Sequence, residues 1–177
     1  MLKTIPKYTS IKGCTIYRLN AAGMPLPTPA AIDVDITISE QAHPSTDVAM
    51  MGTVGVPDQS RLDNFTVTAN INCDSPEAAA LSGAGIVGWF IRWVDEVIDE
   101  AGMPQVIGWD VTAKGYVTGA PEATKNVGSE NKGDIAMNVV AITKRNSLGY
   151  VAYDIDRRVN KLVRNGIDYR SEINKLL

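Results

Sequence analysis

Two stretches of this chain alternate apolar and polar residues without a break, and a period of two in hydrophobicity admits little but a half-buried β-strand. Ile32, Val34, Ile36 and Ile38 interleave with Asp33, Asp35, Thr37 and Ser39, and Phe65, Val67, Ala69, Ile71 and Cys73 interleave with Thr66, Thr68, Asn70 and Asn72. Each predicts a strand with one face on a core and the other on water or a wet channel. Weaker versions of the pattern recur. Tyr8 to Leu19 reads as a strand stopped by the turn formers of Asn20 to Pro29. Gly88 to Glu100 is rich in Trp, Phe, Ile and Val, turns at Ala101 to Pro104, and returns as Val106 to Thr118, which predicts a hairpin. After a polar loop from Gly119 to Gly133, Asp134 to Lys144 places Ile135, Met137, Val139 and Ala141 on one side. The chain then turns at Asn146 to Gly149 and comes back through Tyr150 to Ile155.

The expected fold is mainly β, built of sandwich- or barrel-like antiparallel sheets, in a single domain over residues 1–177. With 45% hydrophobic residues the chain can bury one sizeable core. Helices are few. Ser75 directly before Pro76 is a good N-cap with proline at the first helical position, which predicts a short flanking helix to Leu81. Val159, Leu162 and Val163 stand at helical spacing, and a short C-terminal helix is expected from Asp168. From Glu40 to Asp63 no period holds, so an extended loop is expected, with an apolar island from Val48 to Val54. Such an exposed patch usually needs a partner surface.

Residues for catalysis are hard to assemble from this sequence. The sole histidine, His43, precedes a proline in the irregular segment with no cysteine or second histidine nearby, and reads as a surface residue. Gly83 to Gly88 matches a dinucleotide-binding spacing but follows a helix and precedes a strand, the reverse of the required context. Cys14 and Cys73 fit no metal-ligand spacing and are expected as two buried thiols, paired or unpaired. Asp95, Glu96, Asp99 and Glu100 are expected at a solvated hairpin tip, and Trp89, Trp93 and Trp109 in core or interface packing. Neither an enzyme, a cofactor nor a metal is expected.

A formal charge of -3 argues against tight duplex-DNA binding. The acidic excess lies between Arg61 and Val140 and the basic excess after Ala141, a distribution that would register neighbouring copies in an assembly. No stretch approaches the roughly 20 apolar residues that cross a bilayer. Residues Met1 to Tyr8 lack the apolar run of a secretory signal, so a soluble protein made in a cytoplasm is expected.

The second half of the chain carries a family resemblance. Ala78-Ala79-Ala80-Leu81, the aromatic strand, the acidic Asp95 to Glu100 and the return Trp109-Asp110-Val111-Thr112-Ala113-Lys114-Gly115 lead to Tyr150-Val151-Ala152-Tyr153-Asp154-Ile155-Asp156. Val163-Arg164-Asn165-Gly166-Ile167-Asp168 and Arg170 close the series. In this order they resemble the major tail tube proteins of contractile-tailed bacteriophages and related phage-tail-like particles. The first 60 residues match only in layout, and the family's Gly-rich loop before a Met-Asp step is not reproduced.

The resemblance implies a phage tail tube fold and a structural subunit of a contractile (myovirus) tail. Hexameric rings would join their strands into one continuous inner β-barrel and stack into a tube. It implies assembly in the host bacterial cytoplasm and a place in the virion tail. A sheath protein would lie outside, a tape-measure protein inside during assembly, and baseplate and terminator proteins at the ends. Phage DNA would pass through the bore on genome ejection, with no membrane partner. On charge and alternation, Asp33, Asp35, Thr37, Arg92 and Glu96 are candidates to face the lumen, where an acidic lining repels DNA. Val48, Met50, Met51 and Val54 are candidates for ring stacking. A tail terminator or initiator ring, a monomeric carbohydrate-binding β-sandwich using the tryptophans, and a metal enzyme using the acidic cluster stand as alternatives.

Overall fold

The computed structural model describes residues 8–50, 52–58, 61–98, 102–119 and 131–176. In chain order the first elements are β1 (Tyr8–Arg18), β2 (Ala31–Ile32), β3 (Asp35–Ile38), β4 (Ser45–Met50), β5 (Gly52–Pro57), β6 (Thr66–Asn72) and α1 (Pro76–Ala79). They are followed by β7 (Ile86–Ile98), β8 (Pro104–Val117), β9 (Lys132–Asn146), β10 (Val151–Asp156), β11 (Lys161–Arg164), β12 (Ile167–Asp168) and α2 (Ser171–Asn174). The mainly β antiparallel architecture and both short helices agree with the expectation.

One hydrogen-bonded sheet runs β12-β11-β10-β9-β8-β7-β1-β2, and β6 joins β9 and β3 off this path. Because β2 and β3 are one segment of chain, the path from β1 through β7, β8, β9, β6 and β3 comes back to β1 through β2. Backbone bonds from Ala30 to Ile16 at 2.8 Å and from Val34 to Cys14 at 3.2 Å complete the return. The result is a barrel-like wall with β10, β11 and β12 extending from β9 as a flap. Closure of this kind covers strand edges that would otherwise be free.

The interior is filled from β1, β6, β7, β8 and β9, with Ala31, Ile36 and Ile38 of β2 and β3 packed against it. Ile16, Val67, Ala69, Ile71, Trp89, Ile91, Val111, Ala113, Ile135 and Met137 are all buried. Each aliphatic side chain so enclosed contributes about 1.5–3 kcal/mol over leaving it in water. Helix α1 stoppers one end. Ser75 Oγ caps it by accepting from Ala78 N at 3.1 Å, Ala78 and Leu81 turn inward, and Trp89 Nε1 donates to Leu81 O at 2.9 Å.

Five expectations need correction. Asp33 has φ 53, in the left-handed region, so the alternating run breaks into β2 and β3; Val34 is buried and Ile32 is 64% exposed. In β9 the register passes from Gly115↔Val139 to Lys114↔Ala141, so Val140 is an extra residue, and the bulge reverses parity. Ile135, Met137 and Val139 therefore face the core, but Ile142 succeeds them there and Ala141 lies on the outer face.

At the C-terminus, Asp156 Oδ1 accepts from Arg158 N and caps a single 3-10 turn, which left-handed Asn160 ends. Leu162 then enters the core on β11 instead of a helix. Finally, the segment from Glu40 to Asp63 is not an irregular loop but contains the β4–β5 hairpin, which forms a two-stranded sheet of its own. Cys14 and Cys73 are free and half-buried, not fully enclosed. Residues 120–130 of the expected polar loop lie outside the described residues.

Candidate assembly surfaces and the groove at the barrel mouth

The β4–β5 hairpin pairs Thr46 with Val56, Val48 with Val54 and Met50 with Gly52, which places these positions on one face of the ribbon. Three of the four stacking candidates, Val48, Met50 and Val54, thus share a face with Val56, which is 43% exposed. Met51 lies outside the described residues, as do Asp99 and Glu100 of the acidic cluster.

The hairpin is tied down at its root. Asp58 N donates to Pro44 O at 2.7 Å, and Asp63 N donates to Ala42 O at 3.0 Å. Arg164 on β11 donates through Nη2 to Gln41 O and through Nη1 to His43 Nε2 at 2.9 Å. Because a guanidinium can only donate, Nε2 accepts, and Nδ1 carries the proton that goes to Arg61 O at 2.6 Å. His43 is therefore a neutral bracket at the hairpin root, a role invisible in its sequence neighbourhood.

The lumen candidates fall into two sets. Arg92 and Glu96 stand on the outer face of β7: Arg92 grips Asp110 of β8 at 2.7 and 3.2 Å and covers the Phe90 ring, while Glu96 pairs with Lys12 at 2.7 Å. Asp33, Asp35 and Thr37 are exposed and line a groove that neither Arg92 nor Glu96 lines. The structure does not bring the two sets onto one face. Asp95, next to Glu96 in sequence, points the other way into a groove, so these two carboxylates do not form an acid/base pair.

That groove, of about 980 Å³, opens where β1 and β3 diverge beyond their last shared contact at Val34 and Cys14. Ile11 and Cys14 form one bank and Asp33 to Ile38 the other. Trp93 and Trp109 form the floor, stacked with centroids 6.2 Å apart, and Lys144 Nζ lies 4.9 and 4.7 Å from their rings. Trp89, the third tryptophan, is core. Burial holds the Lys144 ammonium below its ordinary range, with Asp95 opposing the shift. Lys144 was missed at the sequence level because the Val140 bulge turns it inward; its only sign was a place two residues beyond Ile142.

Burial, with help from Asp35 and Asp33, raises the Cys14 thiol from 9.0 to about 11. Burial likewise raises the Tyr153 hydroxyl from 10.0 to about 12, against a hydrogen bond from Gln41 and the charge of Arg164. Both groups hold their protons more tightly folded than unfolded. Their contribution to stability is therefore whole below the ordinary values and is lost as pH climbs, from 9.0 to about 11 for Cys14 and from 10.0 to about 12 for Tyr153. The melting temperature is expected to fall through this alkaline window, and less steeply in Cys14→Ala and Tyr153→Phe. Equal slopes in wild type and both variants would refute the assignment.

The long β7–β8 pair leaves one further surface. The β7–β8 pairing continues to Ile98↔Pro104, whereas β9 joins β8 only from Trp109. On its β8 edge the hairpin therefore reaches past β9, while β1 pairs β7 out to Ile98, and Val106 and Met103 at its end are 70% and 62% exposed. No family model matches this chain, and no curated protein matches it.

Proposed function

We propose that the chain is a structural subunit of the inner tube of a contractile tail, phage or phage-tail-like, in which hexameric rings stack around a bore that passes DNA. The observation that carries this reading is the β4–β5 hairpin. It leaves the barrel as a ribbon whose strands, among the described residues, pair only with each other, with apolar positions on one face. A lone two-stranded ribbon is marginal in water, so its natural setting is against another surface. A second copy stacked above the first supplies one. The overhanging β7–β8 hairpin supports the same reading, because a strand end beyond its neighbour can join the sheet of the next subunit, and a cyclic arrangement closes such contacts into a ring. The run of residues from Ala78 to Gly115 and from Tyr150 to Arg170 that resembles tail tube proteins adds the particular assembly.

On this reading the outer face of β7 and β8, with Arg92 and Glu96, lines the bore, because its strands are long and its charges are paired across strands. Sheath, tape-measure, baseplate and terminator proteins are the partners, and the virion tail is the location. No chemistry is assigned to the chain. The carbohydrate-binding alternative has one observation in its favour, the Trp93–Trp109 floor, but Lys144 already covers both rings.

Negative-stain electron microscopy of the purified protein over a range of concentrations tests the proposal. Hollow rings that stack into tubes are expected. Rings that never stack would make the chain a terminator or initiator. Monomers at the highest concentration, unchanged by preformed tube seeds and showing saturable glycan binding, would overturn it.

A further inference from the structure

Next to the groove, and continuous with it at Ile38 and Lys144, a second recess of about 440 Å³ lies between the segment after β3 and strands β9, β10 and β11. Its floor is a row of three residues abreast. Tyr153 on β10 is in register with Lys144 on β9 at one side and with Arg164 on β11 at the other. Two strand spacings separate the cations, about 10 Å between backbones, which long side chains span easily.

Both cations are partly withdrawn from water, and burial lowers the pKa of each. Neither forms an ion pair among the described residues. Among the described residues Arg164 is met only by neutral acceptors, the His43 ring nitrogen and the Gln41 carbonyl and amide oxygens, and its buried Nε has no acceptor. Asp95, the acid that acts on Lys144, lines the same groove beyond ion-pair distance. Two partly desolvated positive charges without an ion-pair partner cost free energy. An oxyanion between them would offset that cost through charge-assisted hydrogen bonds.

We propose that this recess binds a small oxyanion, a carboxylate or a phosphate, between Lys144 and Arg164 with the Tyr153 hydroxyl as a further donor. The inference uses only the single subunit and does not depend on the assembly reading. Its occupant is either a free oxyanion or a carboxylate presented by a neighbouring copy, and the two share one recognition chemistry.

Inorganic phosphate is titrated into the purified subunit, with sodium chloride holding ionic strength constant, while tryptophan emission is followed; sodium acetate is titrated in parallel. Trp93 and Trp109 report because Lys144 Nζ lies against both rings. A saturable change is expected in wild type, and binding about tenfold weaker in Lys144→Gln and in Arg164→Gln. Lys144→Gln keeps the hairpin bracket of Arg164 intact, so its result stands even where Arg164→Gln folds poorly. A linear, unsaturable response, or the same affinity in Lys144→Gln as in wild type, would overturn the proposal. A separate arm identifies the source and alone rests on assembly. Phosphate that slows ring or tube formation by wild type points to a neighbour's carboxylate, and unaffected assembly points to a free oxyanion.

Discussion

Replacing Ser45 to Pro57 by a short Gly-Ser link is expected to give a subunit that folds normally and forms no tubes. The hairpin in this segment bonds to itself, and every buried core residue among those whose burial is described lies outside it. Shortening the connection changes loop-closure entropy by only about 0.6 kcal/mol per halving of length. The brackets at the root, Gln41 and His43 on Arg164, lie outside the deletion. Thermal unfolding by circular dichroism should therefore shift by no more than a few degrees, while tubes disappear from electron micrographs. Val56→Asp keeps the ribbon and spoils its apolar face, and is expected to weaken stacking in the same direction. Tubes of normal length from the deletion variant would show that stacking is made elsewhere.

Gly115→Ala is expected to destabilise the fold by about 3 kcal/mol, at the upper end for overpacking a core. A Cβ at this position would stand 2.0 Å from the carbonyl oxygen of Asn138 and 2.9 Å from its carbon and from Met137 Cγ. Two of these obstacles are backbone, and the backbone here belongs to β9 at the approach to the Val140 bulge. To admit a methyl group, β8 and β9 must part where barrel and flap share a strand. Gly108→Ala on the same strand is the control, since its nearest neighbour would be Ser147 Cβ at an ordinary 3.7 Å. Urea unfolding should show a large drop in midpoint for the first variant and little for the second. Equal midpoints would mean that the strands yield freely there.

Much of the wall could be read directly from the residues. Phe65 to Cys73 alternates without a break and forms β6 with alternate residues buried, because a strand with one wet face leaves its period in the sequence. The Ser75-Pro76 cap and the β7–β8 and β9–β10 hairpins were legible for similar local reasons. The failures share a cause. At Asp33 a left-handed residue breaks a run whose composition stays regular, and at Val140 a bulge inserts one residue and exchanges the faces. The β4–β5 strands carry too many glycines and small residues for their period to stand out.

The sites divide in the same way. The alternation by itself determined that the chain would be a mainly β protein and, along unbroken runs such as Phe65 to Ile71, which side chains would fill its core. That followed because burial is decided residue by residue along a strand. The tertiary structure alone decided that Asp33 lines the groove while Arg92 stands on the outer face of β7, and that His43 braces the root of a hairpin through Arg164. It also brought Lys144, Tyr153 and Arg164 abreast from three strands. Such placements depend on register between segments distant in the chain, and register is a property of paired backbones that no single strand contains.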